Sequence, residues 1–341
     1  MSKQLDASQT IERFGVSRTI WRVGVICFFA LLACVGGCLS LVNGSTDIPL
    51  KEIMGILAAP GTDPNSMIIW NIRLPRTIVA ALVGINLALS GAILQAILRN
   101  PLADPHLIGI SSGAGVAGVV IMILYPSLEY LIAPVSFIGA MVAAVCIYIL
   151  AWKNGIKPVR IILAGVAVSA FLSAGISGLM IFYSDRVHGA LTWMVGGLAA
   201  RSWPHVSIIL PYAVIGVVLA LASAAYLNVL QLGDEMARGL GINIEVTRIV
   251  LTAIAALLAA SAVSVVGLLG FVGLVVPHAA RLLVGSDYRY LLPASAFLGI
   301  ATITMSDTFA RVVFAPIEIP VGIIMAFLGA PFFLFLLRRE I

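Results

Sequence analysis

The side chains that could perform chemistry are few in this sequence and lie far apart. Its four histidines stand singly along the chain, at His106, His188, His205 and His278. The glycine-rich stretch GISSGAG at 109–115 is not followed by the Lys-Ser/Thr pair that completes a phosphate-binding loop. The pattern therefore predicts no catalytic residue and no metal ligand, and it favours structural or interfacial roles for the histidines.

The cysteines also lack a chemical context. All four lie inside apolar stretches, at Cys27, Cys34, Cys38 and Cys146. Cys34 and Cys38 share one helix face, but a zinc site would need further ligands nearby and none is visible. Small apolar packing is therefore the expected role of these side chains.

Composition identifies the class of protein. Of the 341 residues, 61% are hydrophobic and 10% are charged, and the mean hydropathy is +1.11. Soluble domains carry roughly 25% charged residues, so the sequence predicts an all-α polytopic membrane protein. Residues 1–22 form the expected cytoplasmic tail and 23–341 a single transmembrane domain. Asp6 and Glu12 interrupt the tail, which does not match a signal peptide.

Stretches without Asp, Glu, Lys or Arg predict the membrane spans: 23–46, 77–98, 107–128, 130–152, 161–184, 206–233, 249–277, 290–306 and 319–337. A helix needs about 20 apolar residues to cross a bilayer. The run 249–277 is too long for one helix and rich in glycine near its end. It predicts a span ending near Leu269 and a shorter helix over about 271–284. The prediction is about ten transmembrane helices, with 187–200 as an outer turn or short helix.

The distribution of positive charge predicts the orientation of these helices. With the tail inside, fourteen of the 20 lysine and arginine residues fall on the cytoplasmic side. The outer side then carries Lys51, Arg73, Arg76, Arg186, Arg201 and Arg311. Because cytoplasmic loops carry an excess of lysine and arginine, both termini are predicted to be cytoplasmic. The positive net charge thus reflects membrane topology and does not indicate a nucleic-acid partner.

The stretch RNPLADPH at 99–106 is the predicted cytoplasmic turn between the second and third helices. Its Asn-Pro pair stops the second helix, and Asp104 is expected to cap the third. The spacing of Gly109 and Gly113 lets a neighbouring helix approach closely. Tight helix packing explains the glycines and serines that follow the turn, but it leaves the rest of the turn unexplained.

Ionisable residues are almost absent from the middle of the predicted spans. Asp307 and Arg311 lie toward the outer end of the ninth helix. Ion-coupled carriers usually keep such groups near the midplane, because these groups carry the coupling. The sequence therefore argues against a proton-coupled carrier and against an intramembrane enzyme, and any transport would draw its energy from a partner.

A second cytoplasmic stretch, QLGDEMARGLGI at 231–242, points to that partner. Gly233 and Gly241 bracket about two helical turns, with two acidic residues at the amino end, where the helix dipole favours them. An arginine lies nearer the other end. The pattern predicts a short rigid helix that a cytoplasmic protein grips, or alternatively an ordinary solvated loop helix.

Four motifs carry a family resemblance: RLPRTIVAALVGINLALSGAILQAILRNPLADPHLIGISSGAG (73–115), RIILAGVAVSAF (160–171), GDEMARGLGI (233–242) and GLLGFVGLVVPHAARLLVGSD (267–287). They occur in order over nearly the whole chain beyond the tail. The chain closely resembles the iron-siderophore, haem and cobalamin permeases of type II ABC importers, the FecCD-type permeases. The resemblance implies their permease fold and a multi-pass location in the bacterial cytoplasmic membrane.

The resemblance also implies the partners. A permease of this family pairs with a second permease subunit, either the same chain or a related one. Two ATPase subunits dock on the cytoplasmic side, and a substrate-binding protein docks on the outer side. ATP and Mg²⁺ are used by the ATPase subunits, so this chain is expected to be no enzyme and to hold no cofactor.

Residue roles follow by position in the matching motifs. ATPase coupling is implied for a helix over about 233–241, with Gly233, Asp234, Glu235, Arg238, Gly239 and Gly241. The cytoplasmic gate is implied for Asn100, Leu102, Pro158 and Val159. Relatives often carry small polar residues at the last two positions, which makes that half of the gate a departure from the family pattern.

Docking of the binding protein is implied for Arg73, Arg76 and Arg311 on the outer side. Arginine suits this role because its guanidinium group can grip a carboxylate through two hydrogen bonds. The alternative is that these arginines lie at the membrane surface and extend toward water without a specific partner.

A ferric siderophore is the expected substrate, because ferric siderophores are the commonest load in the family. Haem and cobalamin are the alternatives within the same importer class. A secondary carrier independent of ATP is the alternative from another class, and ATP dependence of uptake separates the two. A polytopic membrane enzyme would need a reactive group of residues that the sequence does not contain.

Overall fold

The computed structural model describes the chain apart from residues 1, 45, 47, 60, 107–108, 154–157, 314 and 341. Side chains are described from residue 18 onward, apart from those of the same gaps and of residues 337, 339 and 340. Within the described part, the chain is helical and contains no β-strand.

Fifteen α-helices lie in the described residues: α1 (Ser2–Val42), α2 (Leu50–Ala58), α3 (Pro64–Ile68), α4 (Leu74–Leu98), α5 (Ile110–Leu124), α6 (Ile132–Ala151), α7 (Pro158–Phe182), α8 (Val187–Val195), α9 (Trp203–Ala222), α10 (Ala224–Gln231), α11 (Asp234–Gly239), α12 (Ile244–Val266), α13 (Val272–Val284), α14 (Tyr288–Val312) and α15 (Val321–Glu340). A π-helical turn, Ile69–Arg73, joins α3 to α4. Short 3₁₀ turns precede α6 and α8.

Ten of these helical segments account for the predicted spans. Six described segments are long and apolar enough to cross a membrane: Arg18–Val42, Pro64–Leu98, Pro126–Ala151, Pro158–Phe182, Trp203–Ala222 and Ile244–Val266. Three apolar helices are shorter: α5, α13 and Val321–Leu336 of α15. The tenth is α14, which has 25 residues and includes the buried Asp307 and Arg311. The predicted all-α fold of about ten transmembrane helices is confirmed.

Helices α4 and α12 form the centre of the bundle. In the most apolar part of each, 78% of the residues are buried, against 17% in α7. Helix α4 packs against α9, α12, α13 and α14. Because lipid surrounds a bundle of this kind, contact between helices depends on close packing of small residues.

Glycines provide the closest helix contacts. A methyl group at Gly91 of α4 would lie 1.9 Å from the carbonyl oxygen of Gly273 in α13. At Gly113 of α5, a methyl group would lie 2.4 Å from the carbonyl oxygen of Gly139 in α6. The close approach predicted at Gly113 is therefore confirmed.

The long apolar run 249–277 divides as predicted. Helix α12 ends at Val266, and α13 begins at Val272. At the break, Gly267 has a φ of +81°, and a methyl group there would lie 2.0 Å from a backbone carbonyl oxygen of α8. Only glycine combines this backbone conformation with so close an approach.

The predicted short helix at 187–200 is present as α8, and it packs into this break. The amide of Leu268 donates to the carbonyl of Trp193 at 3.3 Å. The amide of Gly197 donates to the last carbonyl of α12 at 2.9 Å, and the amide of Gly322 in α15 donates to Gly196 at 3.1 Å. Backbone hydrogen bonds therefore join α8, α12 and α15 at the place where α12 is interrupted.

Two sequence predictions about helix boundaries are wrong. The run 206–233 is not one helix, because α9 and α10 are separated at Ser223, whose hydroxyl donates to the carbonyl of Ala220. Asp104 does not cap α5, because α5 begins after Gly109, which has a φ of 92°. Instead, Asp104 accepts a hydrogen bond from the amide of His106 at 2.7 Å within the turn.

The cysteines do not pack as the sequence predicts. All four are exposed on the surfaces of α1 and α6. Small apolar packing inside this chain therefore does not account for them. Within the described residues, no group of three His, Cys, Asp or Glu side chains comes together as a metal site.

Candidate functional site

The outer end of the bundle carries a buried ion-pair cluster, made of Arg76, Asp307, Arg311 and Glu318 and called here the outer cluster. Two nitrogens of Arg76 donate to the two carboxylate oxygens of Asp307 at 2.9 and 3.0 Å. A third nitrogen of Arg76 donates to Glu318 at 2.9 Å. The Arg311 side chain forms an ion pair with Asp307 at 3.2 Å. The outer cluster joins α4, α14 and the α14–α15 loop.

Two of the three arginines predicted for docking, Arg73 and Arg311, also bind the end of α1. Arg73 donates to the carbonyls of Leu41 and Val42 at 2.8 and 2.7 Å. Arg311 donates to the carbonyl of Ser40 at 3.2 Å. These carbonyls lie in or near the last turn of α1, where helix carbonyls lack partners within the helix.

The three arginines predicted for docking are buried in the protein. Arg73 is 4% exposed, Arg76 7% and Arg311 8%. They do not extend into water, so the alternative of unpartnered surface arginines does not describe them. Docking through these guanidinium groups stays a prediction, and Glu318 is the accessible member of the outer cluster, with 46% of its side chain exposed.

A largely apolar cleft of about 890 Å³ opens beside α8, and its Arg201 feels the charge of Arg76 in the outer cluster. Its lining includes Glu129, Arg186, Arg201 and His205. Arg201 contacts the ring of His205 at 3.1 Å, and burial together with the charge of Arg76 lowers the pKa of Arg201. The sequence placed the arginines of this cleft on the outer side but gave no signal that they line one cavity.

At the opposite end, residues 99–106 and Gly109 form the described part of the inner turn, which carries half of the predicted gate. The side-chain oxygen of Asn100 accepts a hydrogen bond from the amide of Leu102 at 2.9 Å. Asp104 is buried at the base of the turn, and burial raises the pKa of its carboxyl group. The inner turn is therefore held by its own polar side chains and presents a half-buried Leu102.

The other predicted gate residues begin α7. Pro158 is its first residue, and Val159 is 66% exposed. A methyl group at Gly109 would lie 3.1 Å from the carbonyl oxygen of Gly165. The end of the inner turn is therefore in contact with α7, and the gate role of the four residues stays a prediction.

The predicted short helix between Gly233 and Gly241 is present as α11. Both glycines have positive φ, 105° and 79°, which lets the chain turn sharply at each end of the helix. Ala237 is buried and anchors α11 to the bundle, whereas Met236 and Leu240 are 61% and 60% exposed. The helix therefore projects an exposed face that is partly apolar.

Sequence reasoning missed two residues at this end. Arg99 and Arg248 both form ion pairs with one carboxylate oxygen of Asp234, at the start of α11. Arg99 ends α4, and Arg248 lies in the first turns of α12. The two arginines are 135 and 14 residues from Asp234 in the chain, and the sequence contains no signal that would pair them.

One face of α7 is left uncovered by the described residues of the chain. Phe171 and Phe182 on this helix are 79% and 83% exposed. Small residues lie on the same helix, and no atom of the described residues lies within 4 Å of a methyl group placed at Gly178. The helix therefore combines exposed aromatic side chains with open space at small residues.

Comparisons with known proteins agree with this architecture. The cobalamin import system permease protein BtuC of Halobacterium salinarum is 46% identical over 278 residues, covering 81% of this chain and 74% of that relative. The Fe(3+)-citrate import system permease protein YfmE of Bacillus subtilis is 42% identical over 274 residues, covering 80% and 82%. A solved inward-facing metal-chelate type ABC transporter has a TM-score of 0.82 at 28% identity, covering 93% of this chain and 99% of that one.

The family model described as the FecCD transport family matches residues 23–339. This range includes all ten membrane-spanning segments apart from the first residues of α1 and the end of α15. It also contains the inner turn, α11 and the outer cluster. The chain therefore belongs to the FecCD transport family.

Proposed function

We propose that this chain is the membrane-spanning subunit of an ATP-driven importer that carries a ferric siderophore into the cytoplasm. Membership of the FecCD transport family supports the importer class. The observation that carries the proposal is α11, a short helix that projects from the bundle and contacts the end of α4 and the start of α12 through Asp234. A helix in this position can receive motion from a cytoplasmic partner.

The exposed face of α11 supports docking of an ATPase subunit. Glu235 and Arg238 are exposed beside the apolar Met236 and Leu240. A groove of about 420 Å³ next to the helix is lined by Arg238 and residues 241–245. Charged groups around an apolar centre are typical of protein interfaces. In the assembled importer, two ATPase subunits use ATP and Mg²⁺, and each grips one such helix.

The open face of α7 supports pairing with a second permease subunit. Lipid tails are as apolar as the helix surfaces, so the hydrophobic effect does not drive helices together in a membrane. Small residues instead let two helices approach closely and gain packing contacts. Ser173, Gly175 and Gly178 lie on α7 with its exposed aromatic residues. Two permease subunits that meet through α7 enclose the substrate pathway between them, and Asn100, Leu102, Pro158 and Val159 close its cytoplasmic end.

A ferric siderophore is the proposed substrate, and cobalamin is the second candidate. YfmE, which is 42% identical, is named for Fe(3+)-citrate import, and BtuC, which is 46% identical, is named for cobalamin import. Whichever of the two substrates this chain carries, a substrate-binding protein delivers it at the outer end. We place the chain in the cytoplasmic membrane of a bacterium with both termini inside, in agreement with the excess of positive charge on that side.

Transport in liposomes tests this function. The permease is reconstituted with the ATPase and the binding protein encoded beside it, and ferric citrate, ferrichrome, haem and cyanocobalamin are offered separately. We expect ATP-dependent accumulation of a ferric chelate and none with a non-hydrolysable ATP analogue.

The outcomes separate the alternatives. Accumulation driven by a proton gradient without ATP would contradict the importer class and favour a secondary carrier. ATP-dependent accumulation of cyanocobalamin or haem, without ferric chelate, would keep the importer class and overturn the proposed substrate.

A further inference from the structure

Arg99 occupies a backbone conformation that its side chain does not favour. It ends α4 with φ of 47° and ψ of 41°, in the left-handed region. Helices commonly end in this conformation, but glycine is the usual residue because it has no Cβ atom to crowd the backbone. An arginine at this position indicates that its side chain contributes something that glycine cannot.

The side chain of Arg99 reaches two elements that precede α12. Its Nε donates to the carbonyl of Leu230 in α10 at 3.1 Å, and its Nη2 donates to a carboxylate oxygen of Asp234 in α11. Arg248 donates to the same carboxylate oxygen at 3.0 Å. Asp234 is 36% exposed and Arg248 is 4% exposed. The carboxylate of α11 is therefore shared between the end of α4 and the base of α12.

Helix α10 has further bonds to the bundle besides the one from Arg99. The amide nitrogen of the Asn228 side chain donates to Asp287 at 2.8 Å, and the side-chain oxygen of Asn228 accepts from the amide of Tyr288 at 2.9 Å. These bonds attach α10 to Asp287, which precedes α14, and to Tyr288, the first residue of α14. Because α10 is fixed to the bundle, movement of α11 against the bundle acts on the Asp234 contacts.

Arg99 is also the residue directly before the predicted gate. Asn100 follows it and holds the amide of Leu102 at 2.9 Å. Arg99 is three residues before Leu102. Movement of the Arg99 guanidinium group therefore acts directly on the backbone of the inner turn. Arg248, by contrast, lies in the first turns of the long central helix α12, far from the inner turn in the chain.

We propose that the Arg99–Asp234 ion pair transmits movement of α11 to the inner turn, with Arg99 as a positioning residue for the gate and Arg248 as the fixed anchor. This inference rests on the proposed importer function. It explains why α4 ends in an arginine where glycine is the usual residue. It assigns Asp234 a partner inside the permease, whereas its neighbours on α11 face outward.

The test uses Arg99→Gly, because glycine favours the left-handed conformation and removes only the side chain. The complete importer, with its ATPases and binding protein, is reconstituted in liposomes, and ATP hydrolysis and chelate uptake are measured together. We expect the Arg99→Gly complex to assemble and hydrolyse ATP, while the amount transported per ATP falls by about tenfold. Arg99→Lys, which keeps the charge, should recover part of this loss.

The matched control is Arg289→Gln. Arg289 is exposed at the same end of the bundle, and the change removes the same charge without touching the inner turn or α11. A second readout uses a cysteine at Leu102 in a background without the four native cysteines. Its cross-linking between permease subunits should change with an ATP analogue in the unaltered chain and in Arg289→Gln, but not in Arg99→Gly.

The outcomes distinguish this inference from the function on which it rests. If the unaltered complex shows no ATP-dependent uptake, the proposed function fails. If the unaltered complex works, and Arg99→Gly keeps both its transport per ATP and its nucleotide-dependent cross-linking, the ion pair is not the link. If Arg99→Gly fails to assemble, the same comparison made with Arg99→Lys and Arg99→Gln decides the question.

Discussion

Asp307 is the residue on which the outer cluster depends. It is 1% exposed, and its two carboxylate oxygens form ion pairs with both Arg76 and Arg311. A charge removed from water is tolerated when it is paired and hydrogen-bonded, and removing one partner leaves the others uncompensated. The sequence could show that the arginines lie at the outer end, but Arg76 and Asp307 are 231 residues apart, and only the fold brings them together.

The first prediction concerns Asp307→Asn. This change keeps the shape of the side chain and removes its charge, so two buried guanidinium groups lose their common partner. We expect a loss of about 3–5 kcal/mol in stability, seen as a clear drop in the melting temperature of the purified permease. Glu318→Gln is the control, because a half-exposed pair contributes about 0–1 kcal/mol. Equal melting temperatures for the two variants would show that the buried pair is not needed for stability.

The second prediction tests the docking role through Glu318. If Arg76 grips a carboxylate of the binding protein, Glu318 competes for the same guanidinium group. Glu318→Gln should then tighten binding by about two- to fivefold at low salt, as expected for one partly exposed charge pair. Glu129→Gln removes the same charge elsewhere on the outer end and should not tighten binding. An unchanged Kd for Glu318→Gln would leave Arg76 with a purely structural role.

At the scale of the helices, the sequence predicted the features that depend on the local pattern of residues. The ten spans followed from the lengths of uncharged stretches, and the division between α12 and α13 followed from an overlong run ending in glycines. The break between α9 and α10 was missed, because the residues on both sides of Ser223 are apolar. Asp104 was wrongly predicted to cap the third helix because it lies just before Pro105, at the expected start of that helix. Its burial at the base of the inner turn depends on contacts with residues distant in sequence.

The third prediction concerns the contact between α4 and α13. Gly91→Ala would place a methyl group 1.9 Å from the carbonyl oxygen of Gly273, and a backbone atom cannot move aside without shifting a helix. We expect a large fall in the amount of folded protein and in its melting temperature. Gly37→Ala in α1 is the matched control, because its added methyl group has no atom of the described part of the chain within 4 Å. Similar yields of folded protein and similar melting temperatures for the two variants would mean that α4 and α13 can move apart with little loss of stability.

The two ends of the whole bundle hold their charges differently. The outer cluster is centred on a buried carboxylate that ties α4 to α14. At the inner end, Arg99 and Asp234 are 37% and 36% exposed and join a short projecting helix to the turn after α4. A buried, multiply bonded cluster resists rearrangement, whereas a half-exposed pair can exchange partners with water. We therefore expect the inner end to be the more mobile end during transport.

The fourth prediction concerns assembly of the permease pair. Gly178→Leu on α7 adds a side chain into open space within this chain, so it should fold normally. The same side chain would block the close approach of a second subunit. We expect the complex to lose one permease subunit when its mass is measured in detergent. Gly24→Leu on α1 is the matched control, since a methyl group at Gly24 also has no neighbour within 4 Å among the described residues. A full-size complex with Gly178→Leu would place the second subunit on another face.

The backbone bonds at the break between α12 and α13 have a consequence for hydrogen exchange. Amides that have no partner within their own helix must find one elsewhere in the protein when they lie inside a membrane. Here the amides of Gly197, Leu268 and Gly322 donate to carbonyls of α12, of α8 and of the residue after α8. None of the three can open to solvent without disturbing the next, so α8, the break and the start of α15 should form one cooperative opening unit. Deuterium uptake at the three amides should then follow a single slow rate. Three separate exchange rates would mean that the three elements open independently of one another.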